Sequence, residues 1–271
     1  MQYSLIAFDF KFAIQKKERK KIMSATIYLK AQQVKGQFNG GAILENKPVQ
    51  MTEDASKLQP YSNLFYWAHA WSDNGSLIGE HPHQAFEIIS IVLKGDIEHY
   101  DSAHKGWKKL NAGDAQVIRA GSGISHAERI NAGSEMFQIW FDPNLTKSIE
   151  KPASYNDYAS ATFPISKQNG MGVKTYLGVD APMQLDTPGV TIREISFAKG
   201  EFDLPMSADK IYSVYLIEGE LIVDDKTMHE NDFALLKDES NYHFNVMQAG
   251  KIFVIESPVD PGYATYAERY R

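Results

Sequence analysis

Four side chains in two short phrases have the types and spacing to hold a metal ion. In GEHPHQAFE, residues 79 to 87, His81 and His83 stand two apart. A strand turns such residues to the same face, so both imidazoles can address one interior point, with Pro82 stiffening the backbone between them. Further along, SGISHAERI at 122 to 130 repeats the spacing with His126 and Glu128. Antiparallel pairing inside a barrel would unite the two pairs as three neutral imidazoles and one carboxylate. That set suits Fe(II), Mn(II), Ni(II), Cu(II) or Zn(II), and open positions on an octahedral iron would admit oxygen or an organic chelate. Either phrase alone is a weak signal, because an isolated H-x-H often marks buried, hydrogen-bonded histidines. The two together favour a metal centre over a metal-free cluster. For His69, His99, His104, His229 and His243 the expectation reverses to satisfied or surface side chains. His99 stands out among these, since in DIEHYDS it alternates with Ile97 and Asp101 and would turn toward a barrel mouth.

The elements that must position these groups read as strands. Short β-rich runs recur along the chain: ATIYLK, LFYWAHAW, FEIISIVLKG, AQVIRAG, MFQIWF, VTIREISF, IYSVYLIEGELIV, FALLK and KIFVIE. Gly-Asp, Asn-Gly and Asp-Asn pairs at the breaks suggest antiparallel sandwiches or barrels, not βαβ units. Helical periodicity is weak outside KSIEKPASYNDYA, which Pro152 interrupts, and the tail YATYAERYR. The stripe Phe65, Tyr66, Trp67 and Trp71 reads as core.

An internal repeat sets the architecture. FEIISIVLKGDI at 86 to 97 resembles KIYSVYLIEGEL at 210 to 221, and GDAQVIRAGS resembles NDFALLKDES after it. The expected fold is all-β: two tandem antiparallel β-barrels with few short helices. We divide it into an extension of no assigned function (1–22), a first barrel with the metal site (23–145), a linker region (146–170) and a second barrel without metal (171–271). Aligning Gly219 with Gly95 puts Pro205 and Ser207 where His81 and His83 stand, and Ile211 where Glu87 stands. Only His243 then lies near the counterpart of His126, and one imidazole cannot hold an ion.

The motif order, Gly75, His81-x-His83, Glu87 and Gly95, then Gly113, Gly123 and His126, matches the two cupin motifs. Within the cupins, HPHQAFEIISIVLKGDIEHYDS, NAGDAQVIRAG and GSGISHAE closely resemble the pirin family, over roughly residues 70 to 140, with the looser repeat extending the likeness. The resemblance implies a bicupin, built as double-stranded β-helices, whose first barrel binds one mononuclear iron through His81, His83, His126 and Glu128. Fe(II) is the ion expected first, with Mn, Ni, Cu or Zn as alternatives. Pirins take the carboxylate from the second motif, so Glu87 is expected behind an imidazole, orienting it, with Gln84 also close to the metal. Gln84 and Ala85 stand where pirins commonly carry Arg and Gly, and losing a cation beside the metal bears on substrate recognition.

The activity implied is that of a quercetinase-type dioxygenase, an oxidoreductase opening a flavonol or related aromatic enol with O2. Glu128 is the candidate catalytic base for the 3-hydroxyl proton. A reading from another class is a metal-bearing, redox-sensitive regulatory module acting on a protein partner without turnover, as nuclear pirins act as transcriptional co-regulators. A third is a metal-free structural bicupin.

Composition narrows the field further. The 271 residues include no cysteine, which excludes disulfides, thiolate metal sites and a cysteine nucleophile. With 43% apolar and 23% charged residues the chain suits one large or two small cores. Lys and Arg total 28 against 34 Asp and Glu, a net charge of -6 that opposes strong nucleic-acid binding. The basic run KKERKK at 16 to 21 is expected to be solvated, its sharper alternative being a nucleic-acid-contacting arm. No apolar run reaches the about 18 to 20 residues that a membrane span needs. MQYSLIAFDFKFAIQ carries Asp9 and Lys11 and precedes its basic cluster, the wrong order for an export signal, so a cytoplasmic monomer is expected.

Overall fold

The computed structural model describes residues 25–237 and 241–269. The 1–22 extension and its basic run lie outside the described residues. Every pairing between the strands is antiparallel, in two barrels packed side by side. The first barrel has a seven-stranded sheet in the order Ser154–Tyr158, Ala115–Arg119, Glu87–Lys94, Ser134–Phe141, Leu64–Ser72, Ile43–Val49, Val34–Phe38. Opposite stands a four-stranded sheet, Ser76–His83, Ile124–Ile130, Asp96–Asp101, Trp107–Asn111. The second barrel is one nine-stranded sheet, in which Lys210–Val223 and Asn241–Pro258 bend through several register shifts.

Period-two alternation explains why EIISIVL is apolar almost throughout: its strand is buried on both faces. Ile89 and Ile91 join a core shared by the two barrels, where Trp67 packs edge-on against Phe137, Phe233 and Phe253. Ile88 and Val92, on the opposite face, fill two smaller clusters inside the first barrel, and Ser90 lies between them. This leaves a polar layer across the barrel's middle, and the metal motifs point into it.

The repeat is visible in the backbone. Gly95 and Gly219, matched in sequence, both adopt positive φ (67° and 96°). A Cβ at Gly95 would come within 2.2 Å of Ser134 Oγ, and one at Gly219 within 2.7 Å of the Gln248 carbonyl, so glycine is required at both.

Segment exchange blurs the expected boundaries. Thr26–Tyr28, assigned to the first barrel by sequence order, pairs with Phe233–Leu236 in the second. The 146–170 region is not free linker: Ser154–Tyr158 completes the first barrel's sheet, and Ile165–Gln168 already belongs to the second. Edge strands with unpaired backbone groups draw in whichever neighbouring segment can satisfy them, regardless of sequence order. KSIEKPASYNDYA accordingly holds only the end of one helical turn, Leu145–Ser148, and then a strand; the tail helix is Tyr266–Arg269. No helix among the described residues is long and apolar enough to cross a membrane.

Candidate metal centre

The strand Ser76–His83 pairs with Ile124–Ile130 so that His81 lies opposite His126 and His83 opposite Ile124. The two motifs thus meet across one ladder. The ligand nitrogens of His81, His83 and His126 lie within 4.8 Å of one another, and the ring centroids are 4.5 to 4.8 Å apart. His81 Nδ1 donates to the Gly79 carbonyl at 2.8 Å, and its Nε2 lies 3.1 Å from His126 Nε2. Two nitrogens each about 2.1 Å from one ion and at right angles around it would be about 3.0 Å apart. Burial, with the neighbouring imidazoles adding to it, drives both His83 and His126 down to about 3, so both are neutral ligands at physiological pH. His83 Nε2 and His126 Nδ1 are buried without a hydrogen-bond partner. An unsatisfied buried nitrogen costs about 1 to 3 kcal/mol, and a metal ion would satisfy the one on His83.

Glu128, 1% exposed, follows His126 along the same strand after a register shift. Its carboxylate groups with His126 and His99, and His81 and His83 are not part of that cluster. Oε1 accepts from Ser90 Oγ at 2.9 Å, and Oε2 accepts from Gln138 Nε2. Gln138 Oε1 in turn accepts from Trp140 Nε1, and the Trp140 ring stands edge-on to His83 at 4.9 Å.

His99 is fully buried and directly opposite Glu128 in the ladder. Its ring lies parallel to Tyr155 at 5.1 Å and 5.4 Å from His126, and its one polar neighbour among the described ion pairs is Asp101 Oδ2, 3.5 Å from Nε2. Sequence reasoning grouped His99 with the ordinary histidines; the alternation with Ile97 and Asp101 was the signal that placed it inside. The other four are satisfied as expected. His69 lies between Tyr215 and Glu135, and His104, His229 and His243 pair with Asp101, Glu220 and Asp203. His243 is therefore a surface side chain of the second barrel, and among the described residues no metal-ligand cluster forms there.

Glu87 requires a correction. Its carboxylate touches no imidazole; it accepts from the backbone N–H groups of Asp186 (2.7 Å) and Thr187 (2.8 Å) and from Thr187 Oγ1, with Arg119 Nε 3.6 Å away. It clamps the first barrel to the second. The chain leaves the four-stranded sheet after His83 and enters the seven-stranded sheet at Glu87, so strand alternation does not carry from one to the other. Between them Ala85 holds φ 65°, a left-handed conformation that explains a glycine preference at this position. Gln84 is exposed at the mouth and donates to the Ser122 carbonyl at 2.9 Å. With His83, Pro82, Ser102, Ile124 and Ser125 it lines a cavity of about 510 Å³ that opens the centre to solvent.

Comparison with known proteins agrees with this geometry. Residues 45–141 match the Pirin family model. Pirin-1 of Arabidopsis thaliana is 31% identical over 157 residues, 55% of this chain and 51% of the plant protein, so the match spans about half of that relative's length. A Pasteurella multocida protein whose assigned name proposes a quercetin 2,3-dioxygenase is 29% identical over 65% of this chain and 74% of its own. The bacterial pirin YhhW of Escherichia coli, solved in complex with nickel(II), superposes with a TM-score of 0.71 at 18% identity, covering 86% of this chain and 99% of that one; the likeness is one of fold. The paired histidine motifs, the two barrels and these matches make the chain similar to the pirins, with the match to the Pirin family model at residues 45–141.

Proposed function

We propose that this chain binds one transition-metal ion at His81, His83 and His126, with Glu128 beside it, and cleaves a flavonol or related enol with O2. The observation that carries this is the buried, unpartnered Nε2 of His83 within a trio of converging imidazoles, with His83 itself lining an open cavity. The nitrogen and oxygen donors suit iron, and relatives named for quercetin dioxygenase activity support the substrate class. A bound Fe(II) would supply the Lewis acidity that favours the deprotonated enol.

The chain's own residues do the rest. The cavity falls in the range of about 300 to 1,000 Å³ typical of small-molecule sites. Trp140, backed by Phe65 and Phe86, gives His83 an apolar flank that keeps water from that side. In this reading Glu128, whose carboxylate groups with His126 and His99, receives the 3-hydroxyl proton of the substrate.

Metal analysis of freshly purified protein, then anaerobic titration of the Fe(II)-loaded chain with a flavonol and admission of oxygen, tests this. The expected result is one ion per chain, a flavonol spectral shift, and oxygen uptake that depends on the flavonol. A fully loaded protein that binds the flavonol yet consumes no oxygen would refute the activity for that class.

A further inference from the structure

Where the hairpin of Val34–Phe38 and Ile43–Val49 meets the second barrel, two adjoining cavities of about 390 and 530 Å³ share Lys30, Asn46 and Trp71. Neither shares a residue with the metal cavity. The junction is strapped by Lys30 N, which donates to Asp232 Oδ1 at 2.7 Å, and by Gln33 Nε2, which donates to the Asn231 carbonyl at 2.7 Å. Trp71 is half-buried and lines both cavities, whereas Trp67 of the same aromatic stripe is fully buried core. Asn46 is 2% exposed. Its Oδ1 accepts from Lys35 Nζ, directly opposite in the ladder, at 2.5 Å. An ammonium can only donate, so the amide orientation is fixed and Nδ2 is left as a buried donor without a partner. The nearby carboxylates are already engaged: Glu45 with the Tyr66 hydroxyl and Lys47, Glu135 with His69 and Lys94. Asp73 and Glu230 are exposed and line only the smaller cavity. No carboxylate among the described residues pairs with Lys30 or Lys35. Burial, with Lys30 and Lys57 adding like charge, pushes the Lys35 ammonium below its ordinary value. An anion beside it relieves that crowding and gives Asn46 Nδ2 its acceptor.

We infer that the larger cavity is a second ligand site that takes a small aromatic carboxylate, its ring against Trp71 and Leu44 and its oxygens between Asn46 Nδ2 and the Lys35 ammonium. The site stands apart from the metal chemistry proposed above. Its volume lies within the range of about 300 to 1,000 Å³ typical of small-molecule sites. Trp71 offers a flat apolar face, which suits a planar ring. Two donors on one side match the two oxygens of a carboxylate. Asn46 and Trp71 belong to the first barrel, while Lys30 sits on the segment tied to the second, so an occupant also braces the junction.

Calorimetric titration of the purified full-length chain with 2-naphthoate tests this, with naphthalene-2-carboxamide as the uncharged isostere. The expected result is one carboxylate bound per chain and an amide about ten-fold weaker. Asn46→Asp keeps an acceptor for Lys35, so the hairpin contact survives, but it exchanges the donor for a like charge and should abolish binding. Lys35→Met and Trp71→Leu should each lower affinity by about ten-fold. Lys35 is exposed, so its variant serves as the reading should Asn46→Asp fail to fold. The His81→Ala, His83→Ala variant should bind 2-naphthoate as the wild type does, which separates this site from coordination of the carboxylate by a metal. Three results overturn the inference: a wild-type chain that binds no 2-naphthoate, equal affinity for the carboxylate and the amide, or binding that Asn46→Asp and Lys35→Met retain. Binding lost only in the double histidine variant would place the carboxylate on the metal instead.

Discussion

Glu87 offers a direct test of what the inter-barrel contact is worth. Replacing it with Ala removes the acceptor for two backbone N–H groups, at Asp186 and Thr187, and for the Thr187 hydroxyl, and leaves Arg119 Nε without its carboxylate. Each buried donor left unsatisfied costs about 1 to 3 kcal/mol. Asp186 is an exposed residue whose amide can turn to water, so its loss falls at the low end, whereas Thr187 is 4% exposed. Part of the loss is returned, because burial holds the Glu87 carboxyl above the usual range and the variant no longer buries that charge. The net expectation is a destabilisation of about 2 to 4 kcal/mol, or roughly 5 to 12 °C in Tm for a chain of this size. Urea denaturation of the wild-type and variant proteins measures the first quantity, and metal analysis of the same samples supplies the control. Metal content should stay at the wild-type level, because Glu87 touches none of His81, His83 or His126. Unchanged stability together with loss of the metal would refute the clamp and return Glu87 to the imidazoles.

Four further outcomes are expected. The His81→Ala, His83→Ala double variant should lose its metal, whereas His243→Ala, which breaks only a surface pair with Asp203, should keep it; elemental analysis of both decides. Glu128→Gln should lower flavonol turnover more than metal occupancy, since three imidazoles remain, and single-turnover kinetics beside metal content would show the reverse if Glu128 were chiefly a ligand. Ala85→Gly should stabilise by about 1 kcal/mol by relieving a left-handed alanine, visible as a rise in the urea midpoint at unchanged slope, and a fall would remove the strain explanation. The hydrogen bond from His69 beside Glu135 holds that carboxyl down at about 2, below its unfolded value, so it contributes stability above pH 4.5 that is lost as pH falls toward 2. Glu135→Gln should therefore flatten the acid limb of the stability curve over that window, and an unchanged limb would show that the pair adds nothing.

The amino-acid sequence by itself determined whatever depends on local period and on repetition. The H-x-H pair faces one way because side chains in a strand alternate. The expectation of no centre in the second barrel comes from Pro205 and Ser207 aligning with the first barrel's histidines, whereas the strand pairing puts Asp203 opposite His243. The all-β architecture follows from short apolar runs with turn residues between them.

Tertiary structure alone decided three matters. The side of the strand Glu87 occupies depends on a change of sheet at Ala85, and alternation cannot be counted through a break in a strand. The place of His99 beside Glu128 depends on a ladder register between strands distant in sequence. The joining of Thr26–Tyr28 to the second barrel and of Ser154–Tyr158 to the first depends on pairing with strands distant in sequence. In each case the deciding energy, a hydrogen bond made or a buried group satisfied, belongs to a contact between distant segments, and no window of sequence contains both partners.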